Sequence, residues 1–268
     1  MPTIRASSLS SYSDCPRRSA AKLFREEIET AGYTLNAYTP QHVGAIVGNA
    51  IHEGIKFRLT EKKNTGILGN ETEAKDLSLE NLNLNLDKKN HVWDSITNTQ
   101  NEAEQQTLAL LKSCENILQH VKPVEVEQQL ECKISDKIVL SGCVDVGEKE
   151  GLIDWKSGKI RRANGAQYGA YSLLLRSHGF DNKSITEVHM QRVKVGKIQP
   201  NPLIIDTYDV ATCENTALST INHIARDHQR FVETSNSREF LANPSSMLCD
   251  KKYCSAWGTD FCREHKPK

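Results

Sequence analysis

Ser141-Gly142-Cys143-Val144-Asp145 and, a short turn later, Gly151-Leu152-Ile153-Asp154-Trp155-Lys156 are the two runs on which the reading of this chain turns. Residues 124–134 read as a strand, residues 138–146 as a second and residues 151–155 as a short third, with Asp136-Lys137 turning between the first two. An Asp closes the second strand; an Asp and a Lys, two apart, close the third. Residues i and i+2 of a strand share a face, so Asp154 and Lys156 project together and Asp145 meets them from the next strand. Paired carboxylates suit a hard divalent cation such as Mg²⁺. A lysine beside them orients a water or neutralises charge developing on a phosphate. Together these are the parts that hydrolysis of a phosphodiester requires.

Downstream, residues 166–178 read as a helix with Tyr171, Leu174 and Leu175 on its apolar side and Gly179 as its stop. Residues 187–195 and 203–210 read as strands joined through Gly196, Pro200 and Pro202. Residues 213–232 form an amphipathic helix, and a loop-like tail follows from Ser235. Upstream, Ile46, Ala50, Ile51 and Ile55 mark a helix that contains His52, and Leu108, Leu111, Ile117 and Leu118 mark another. Residues 58–100 are polar and Asn-rich, Asn81-Leu82-Asn83-Leu84-Asn85-Leu86 being the oddest piece. We read residues 58–120 as a helical, partly flexible insertion. The start, from Ser7 to Arg18, is a turn leading into short helices. The predicted architecture is α/β: a small mixed central sheet flanked by helices, with an N-terminal helical region and a Cys-rich C-terminal tail. At 268 residues the chain is expected to form one domain, 1–268.

The chain carries 34 Lys+Arg and 34 Asp+Glu, which excludes binding of nucleic acid through bulk positive charge. The zero is a cancellation. From Glu61 to Glu131 seven Lys stand against thirteen Asp/Glu; from Trp155 to Pro200 nine Lys/Arg stand against two. The basic stretch, with Lys159, Arg161, Arg162, Arg192, Lys194 and Lys197, starts at the Asp–Lys pair, where Lys159, Arg161 and Arg162 are placed to hold a phosphate backbone. No base-reading helix is visible, so contacts should be largely sequence-independent. No apolar run is long enough to span a membrane and the start lacks a signal peptide's apolar core, so a cytoplasmic location is expected, a host's cytosol included. There, clustered cysteines read as metal or redox sites. Cys114, Cys132, Cys143 and Cys213 are scattered and read as small core residues; Cys249, Cys254 and Cys262 are clustered.

Three further features surround the acidic–lysine pair. Glu127 lies one strand earlier, with Glu125 and Glu131 at the same parity. His52, in Gly48-Asn49-Ala50-Ile51-His52, can aim an imidazole at the same metal. Gln167 and Tyr171, one helical turn apart, share a face. G-x-x-x-H, G-x-x-D, D-x-K and Q-x-x-x-Y in this order resemble the PD-(D/E)xK nuclease superfamily, and within it the RecB-type nucleases, which include the exonucleases of CRISPR adaptation and of recombination. The resemblance covers roughly residues 7–30, 44–56, 124–175 and 245–262. It implies a restriction-endonuclease-like fold, with His52, Asp145, Asp154 and Glu127 as ligands of Mg²⁺ or Mn²⁺, the backbone at Asp154–Trp155 adding a carbonyl. It implies Lys156 as the catalytic lysine, with Gln167 and Tyr171 supporting the site or touching DNA.

The resemblance also implies an iron–sulfur cluster whose first ligand lies in Ser8-x₃-Tyr12-x₂-Cys15-Pro16, the others being Cys249, Cys254 and Cys262. Four thiolates suffice for a [4Fe–4S] cluster, and Zn²⁺ is the alternative; the spacing between Cys249 and Cys254 is wider than the family's usual pair. Either would clip the 245–268 tail to the Cys15 region. The expected function is a metal-dependent DNA exonuclease of recombination, repair, or phage- or CRISPR-related processing, with a helicase or integrase as a possible partner. The alternative is a non-catalytic module that binds DNA ends and keeps the metal clip.

Overall fold

In a computed structural model the described residues are 3–37, 40–88, 91–136, 138–159 and 164–264. A short strand β1 (Thr3–Arg5) leads into helices α1 (Leu9–Asp14), α2 (Pro16–Leu23) and α3 (Arg25–Thr30). A two-residue strand β2 (Gln41–His42) opens the long helix α4 (Val43–Thr65), followed by α5 (Glu71–Asp87), β3 (His91–Val92), α6 (Gln100–Ser113) and α7 (Glu115–His120). Then come β4 (Glu125–Ser135), β5 (Ile138–Gly147), β6 (Gly151–Gly158), α8 (Gly165–Ser177), β7 (Ser184–Gln191), β8 (Leu203–Ile205) and α9 (Val210–Thr234).

The main sheet runs β1-β5-β6-β7-β8, with β4 paired along β5. β1 joins β5 and β6 joins β7 in parallel, and the other pairings are antiparallel. The expected mixed sheet flanked by helices is therefore present. β1 went unpredicted because three residues carry too little period to read; it is held by the buried Ile4. Helices cover both faces. Leu140, Val144, Leu152 and Ile185 pack under α8 and α9 and the N-terminal helices. Val146, Ile153, Trp155 and Val188 pack under α4 to α7. Alternation along β6 thus sends Trp155 into the second core and turns Asp154 and Lys156 to the other side.

Residues 71–87, whose sequence has no clear period, form a single helix. Asn70 starts it by accepting the backbone N–H groups of Thr72 and Glu73 at 2.9 and 3.1 Å, as an N-cap should. In the Asn–Leu repeat, Leu82 and Leu86 are one turn apart and buried, while Leu84 faces out.

β7 starts at Ser184 and ends at Gln191, earlier than its sequence suggests, because Arg192 leaves the sheet for a buried polar knot. Its guanidinium pairs with Asp94 and donates to Thr97, and Arg192 is buried. This residue, counted among the basic groups near the site, is therefore committed to structure. Asp94 feels burial, which raises its pKa, but the Arg192 contacts and the N–H groups of Ile96 and Thr97 win and hold it low. A lowered folded pKa means stabilisation that is present above the ordinary carboxylate value and lost as pH falls through the depressed one. Asp94→Asn should destabilise the fold by about 3 kcal/mol at neutral pH, since it leaves a buried guanidinium unpaired. Urea titrations at pH 7 and near pH 3 check this: the gap between variant and wild type should narrow at the lower pH.

Candidate metal centre and adjoining cleft

β5 and β6 are hydrogen-bonded only over Val146–Gly147 and Leu152–Ile153, and beyond that they part. Asp145 and Asp154 are the next residues outward on the two strands, so they stand at a fork in the sheet. The fork frees backbone groups of Trp155 that a continuous ladder would use. Asp145 Oδ2 takes the Trp155 N–H at 2.8 Å, and His52 Nε2 donates to the Trp155 carbonyl at 2.9 Å. α4 can deliver His52 because Gly48, one turn earlier, lies against β6: a Cβ there would meet Ser157 Oγ at 2.7 Å. That contact gives the glycine of G-x-x-x-H a physical reason.

The other imidazole nitrogen, Nδ1, lies 3.2 Å from Glu127 Oε1 and 3.7 Å from Asp145 Oδ2. Among the described residues, His52, Glu127 and Asp145 offer ligand atoms that all lie within 4.8 Å of one another. Glu127 reaches inward with a left-handed φ of 47°, a conformation that costs a non-glycine residue about 1 kcal/mol or more. Glu125 instead pairs with Lys63 at 2.7 Å, and Glu131 is exposed. Asp154 does not join the three; its oxygens lie 2.9 and 2.7 Å from Lys156 Nζ. Its Oδ2 has that charge contact but no hydrogen-bond geometry, although it is sealed from solvent.

The charges at the fork are poorly matched. Burial drives Asp145 up to about 7 against the pull of His52, and burial likewise raises Asp154 despite Lys156. His52 moves the other way: burial opposes its charge, but Asp145 and Glu127 outweigh that and lift it to about 9. Lys156 also loses solvation, yet Asp154 and Asp145 keep it firmly protonated. Buried carboxylates whose pKa values burial raises, a buried oxygen without a hydrogen bond and an imidazole beside them form a donor set that fits a divalent cation.

Gln167 Nε2 donates to Tyr171 OH at 2.7 Å, and both side chains are buried behind the fork. Tyr171 has its pKa raised, by burial first and then by Asp145 and Asp154. A cleft of ≈ 640 Å³ opens from Lys156, with Lys159, Gln167, Glu187 and His189 along it. Arg161 and Arg162 lie outside the described residues, and Lys194 and Lys197 are not among the cleft's lining residues.

Three residues of this neighbourhood escaped the sequence reading. Glu187 is register partner to Asp154 on β7, fully buried, and accepts from Tyr168 and Tyr208 at 2.6 and 2.7 Å. His189 is likewise partner to Lys156; only the parallel register reveals either. Cys143, assigned to the core, is half-buried and donates to Glu127 Oε2 at 3.2 Å. Its spacing of two from Asp145 was the available signal.

Cys15, Cys249, Cys254 and Cys262 line one small cavity with Arg18 and Trp257. The Asn243 N–H points at Cys15 Sγ from 3.4 Å. Burial raises Cys254 to about 11, and charge on Cys15 and Cys262 pushes the same way. Arg17, buried, donates to the Phe240 carbonyl at 2.9 Å and pairs with Glu264, so protein hydrogen bonds already tie the tail to the N-terminal helices. An all-thiol donor set around one cavity fits an iron–sulfur cluster or Zn²⁺.

The family model for the PD-(D/E)XK nuclease superfamily matches residues 3–259. The chain belongs to that superfamily, whose nucleases use divalent metals. Among solved structures, one described as a "putative exonuclease" from Eubacterium rectale is similar over 87% of this chain and 82% of its own, with 9% identity and a TM-score of 0.53; at that identity the likeness is one of fold. The structure of SSO0001, 12% identical over 76% of this chain and 85% of its own, has a TM-score of 0.28, too low to carry an argument. No curated protein matches. Among the described residues, no helix is long and apolar enough to cross a membrane.

Proposed function

We propose that this protein is a divalent-metal-dependent DNA exonuclease. The observation that carries the reading is the convergence of His52, Glu127 and Asp145 within 4.8 Å beside the Asp154–Lys156 pair, whose lysine lines a cleft. His52, Glu127, Asp145 and Asp154 would hold Mg²⁺ or Mn²⁺, the imidazole among oxygen donors making Mn²⁺ an effective substitute. A cation bound there supplies Lewis-acid polarisation of a phosphoryl oxygen and an acidified water. The Lys156 ammonium, anchored by Asp154 and open to the cleft on one side, donates to the attacking water or to the phosphate oxygen as charge builds. Trp155, locked through both its backbone groups, fixes the strand between them. Lys159, with Arg161 and Arg162 following it in sequence, supplies phosphate contacts that do not read bases. Gln167 and Tyr171 brace the fork from α8.

The RecB-type branch, cytoplasmic or phage-borne action in recombination, repair or CRISPR-related processing, and a helicase or integrase partner belong to this same proposal; the order of the four motifs supports them. Incubation with linear and circular DNA of equal length tests it. An exonuclease degrades the linear form in Mg²⁺ or Mn²⁺ and spares the circle; loss of both forms would mean endonuclease action, and loss of neither would refute a nuclease.

The four-cysteine cavity is proposed to hold a [4Fe–4S] cluster. Anaerobically purified protein should be brown, with about four iron atoms per chain, and Cys254→Ser should lose colour and iron together. Stoichiometric zinc without iron would assign the site to Zn²⁺ instead.

A further inference from the structure

The cleft at Lys156 is not lined by charge alone. His42, the residue before α4, and Tyr253, from the loop between Cys249 and Cys254, stack with ring centroids 4.9 Å apart and planes 17° from parallel. Both line the cleft. Neither belongs to either hydrophobic core, and Tyr253 remains 39% exposed, so much of its ring stays open after the stacking. Lys156 and Lys159 line the same cleft. Flat aromatic surface beside ammonium groups is the combination that holds a nucleic-acid strand, by its base faces and its phosphates together.

We propose that the His42–Tyr253 pair is a nucleobase-stacking shelf: one base of the substrate packs against the rings while its phosphates run toward Lys156 and Lys159. The identity of that ligand rests on the DNA-nuclease reading. A base inside a duplex has both faces on its neighbours, so the shelf takes a base that is unpaired or lies at a strand end.

Fluorescence anisotropy with a short labelled single strand, without added divalent metal, tests the shelf apart from catalysis. Wild type should bind a strand carrying abasic sites about tenfold more weakly than the intact strand. Tyr253→Ala should bind the intact strand as weakly as wild type binds the abasic one, with no further loss when both changes are combined. Tyr253→Phe should keep the affinity. Equal binding of intact and abasic strands by wild type overturns the shelf, whatever the variants do, as does a Tyr253→Ala loss of equal size on both strands. Cleavage in Mn²⁺ is scored separately. Base-dependent binding without cleavage refutes the nuclease and leaves the shelf; cleavage without base dependence does the reverse.

Discussion

Replacing Lys156 with alanine is expected to slow DNA cleavage by about a thousandfold, or about 4 kcal/mol of barrier, while divalent-metal binding persists. The ammonium sits between two demands. It lies 2.7 Å from the sealed Asp154 carboxylate, and its side chain keeps 27% exposure toward the cleft, where a phosphate would lie. Burial works against its charge, but Asp154 and Asp145 more than restore it, so it arrives at the phosphate as a cation. Its removal takes away a donor aimed at developing negative charge in a partly desolvated site, where such groups are worth most. The three proposed ligands His52, Glu127 and Asp145 are untouched, so Mn²⁺ titration by calorimetry should give nearly the wild-type affinity. Lys156→Arg should rescue little, because a planar fork does not reproduce a point charge held between two oxygens. Single-turnover cleavage in Mn²⁺ measures the effect; a Lys156→Ala rate within a few-fold of wild type would remove the lysine from the chemistry.

A stability effect as large as that of Asp94→Asn is expected from one methyl group at the crossing of α8 and α9. A Cβ on Gly169 would lie 1.9 Å from the Cys213 carbonyl oxygen and 2.6 Å from the Glu214 nitrogen. Both are backbone atoms of α9, so no rotamer change can make room and the whole helix must move. Gly169→Ala should therefore cost about 3 kcal/mol, even after the better helix propensity of alanine offsets roughly 1 kcal/mol. In a chain of this size the melting temperature should fall by about 6 °C. α9 also anchors the N-terminal helices, where Tyr12 OH donates to Asp227 Oδ2 at 2.6 Å, so the loss should spread to the N-terminal helices. Gly165→Ala is the matched control: its Cβ would meet only Cys213 Sγ, at an ordinary 3.7 Å, and it should melt at or slightly above the wild-type temperature. Equal melting of the two alanine variants, followed by circular dichroism, would contradict the tight crossing.

The strand pair that ends in Asp145 and Asp154 was legible because period and turn residues agree there, and so were α8 and α9. Parity along β6 was enough to put Asp154 and Lys156 on one face. What local pattern could not convey is where neighbouring strands stop pairing. The fork beyond Val146 and Ile153 makes Trp155 the hub of the site, and nothing in G-L-I-D-W-K announces it. Register across β6 and β7 brings Glu187 and His189 beside the lysine, and register is a property of two strands, invisible in either. Arg192 misled for a related reason. A basic residue next to a catalytic strand looks like a phosphate contact until the 94–97 turn, a hundred residues away, is seen to enclose it. Glu127 was one of three equivalent carboxylates by parity; only its left-handed backbone and the arrival of α4 separate it from Glu125 and Glu131. The stacking pair joins residues more than two hundred positions apart, and His42 and Tyr253 form no local pattern at all.

The fork of β5 and β6 is proposed to be a metal-dependent hydrolytic centre. The most direct measurement is the rate at which end-labelled linear DNA is degraded by wild type and by Asp154→Asn, in Mn²⁺ and in EDTA. Wild type should degrade the DNA only with the metal, and the rate should fall by about a hundredfold or more for Asp154→Asn, whose amide keeps the shape of the carboxylate but not its charge. Undiminished cleavage by Asp154→Asn, or cleavage that survives EDTA, would contradict it.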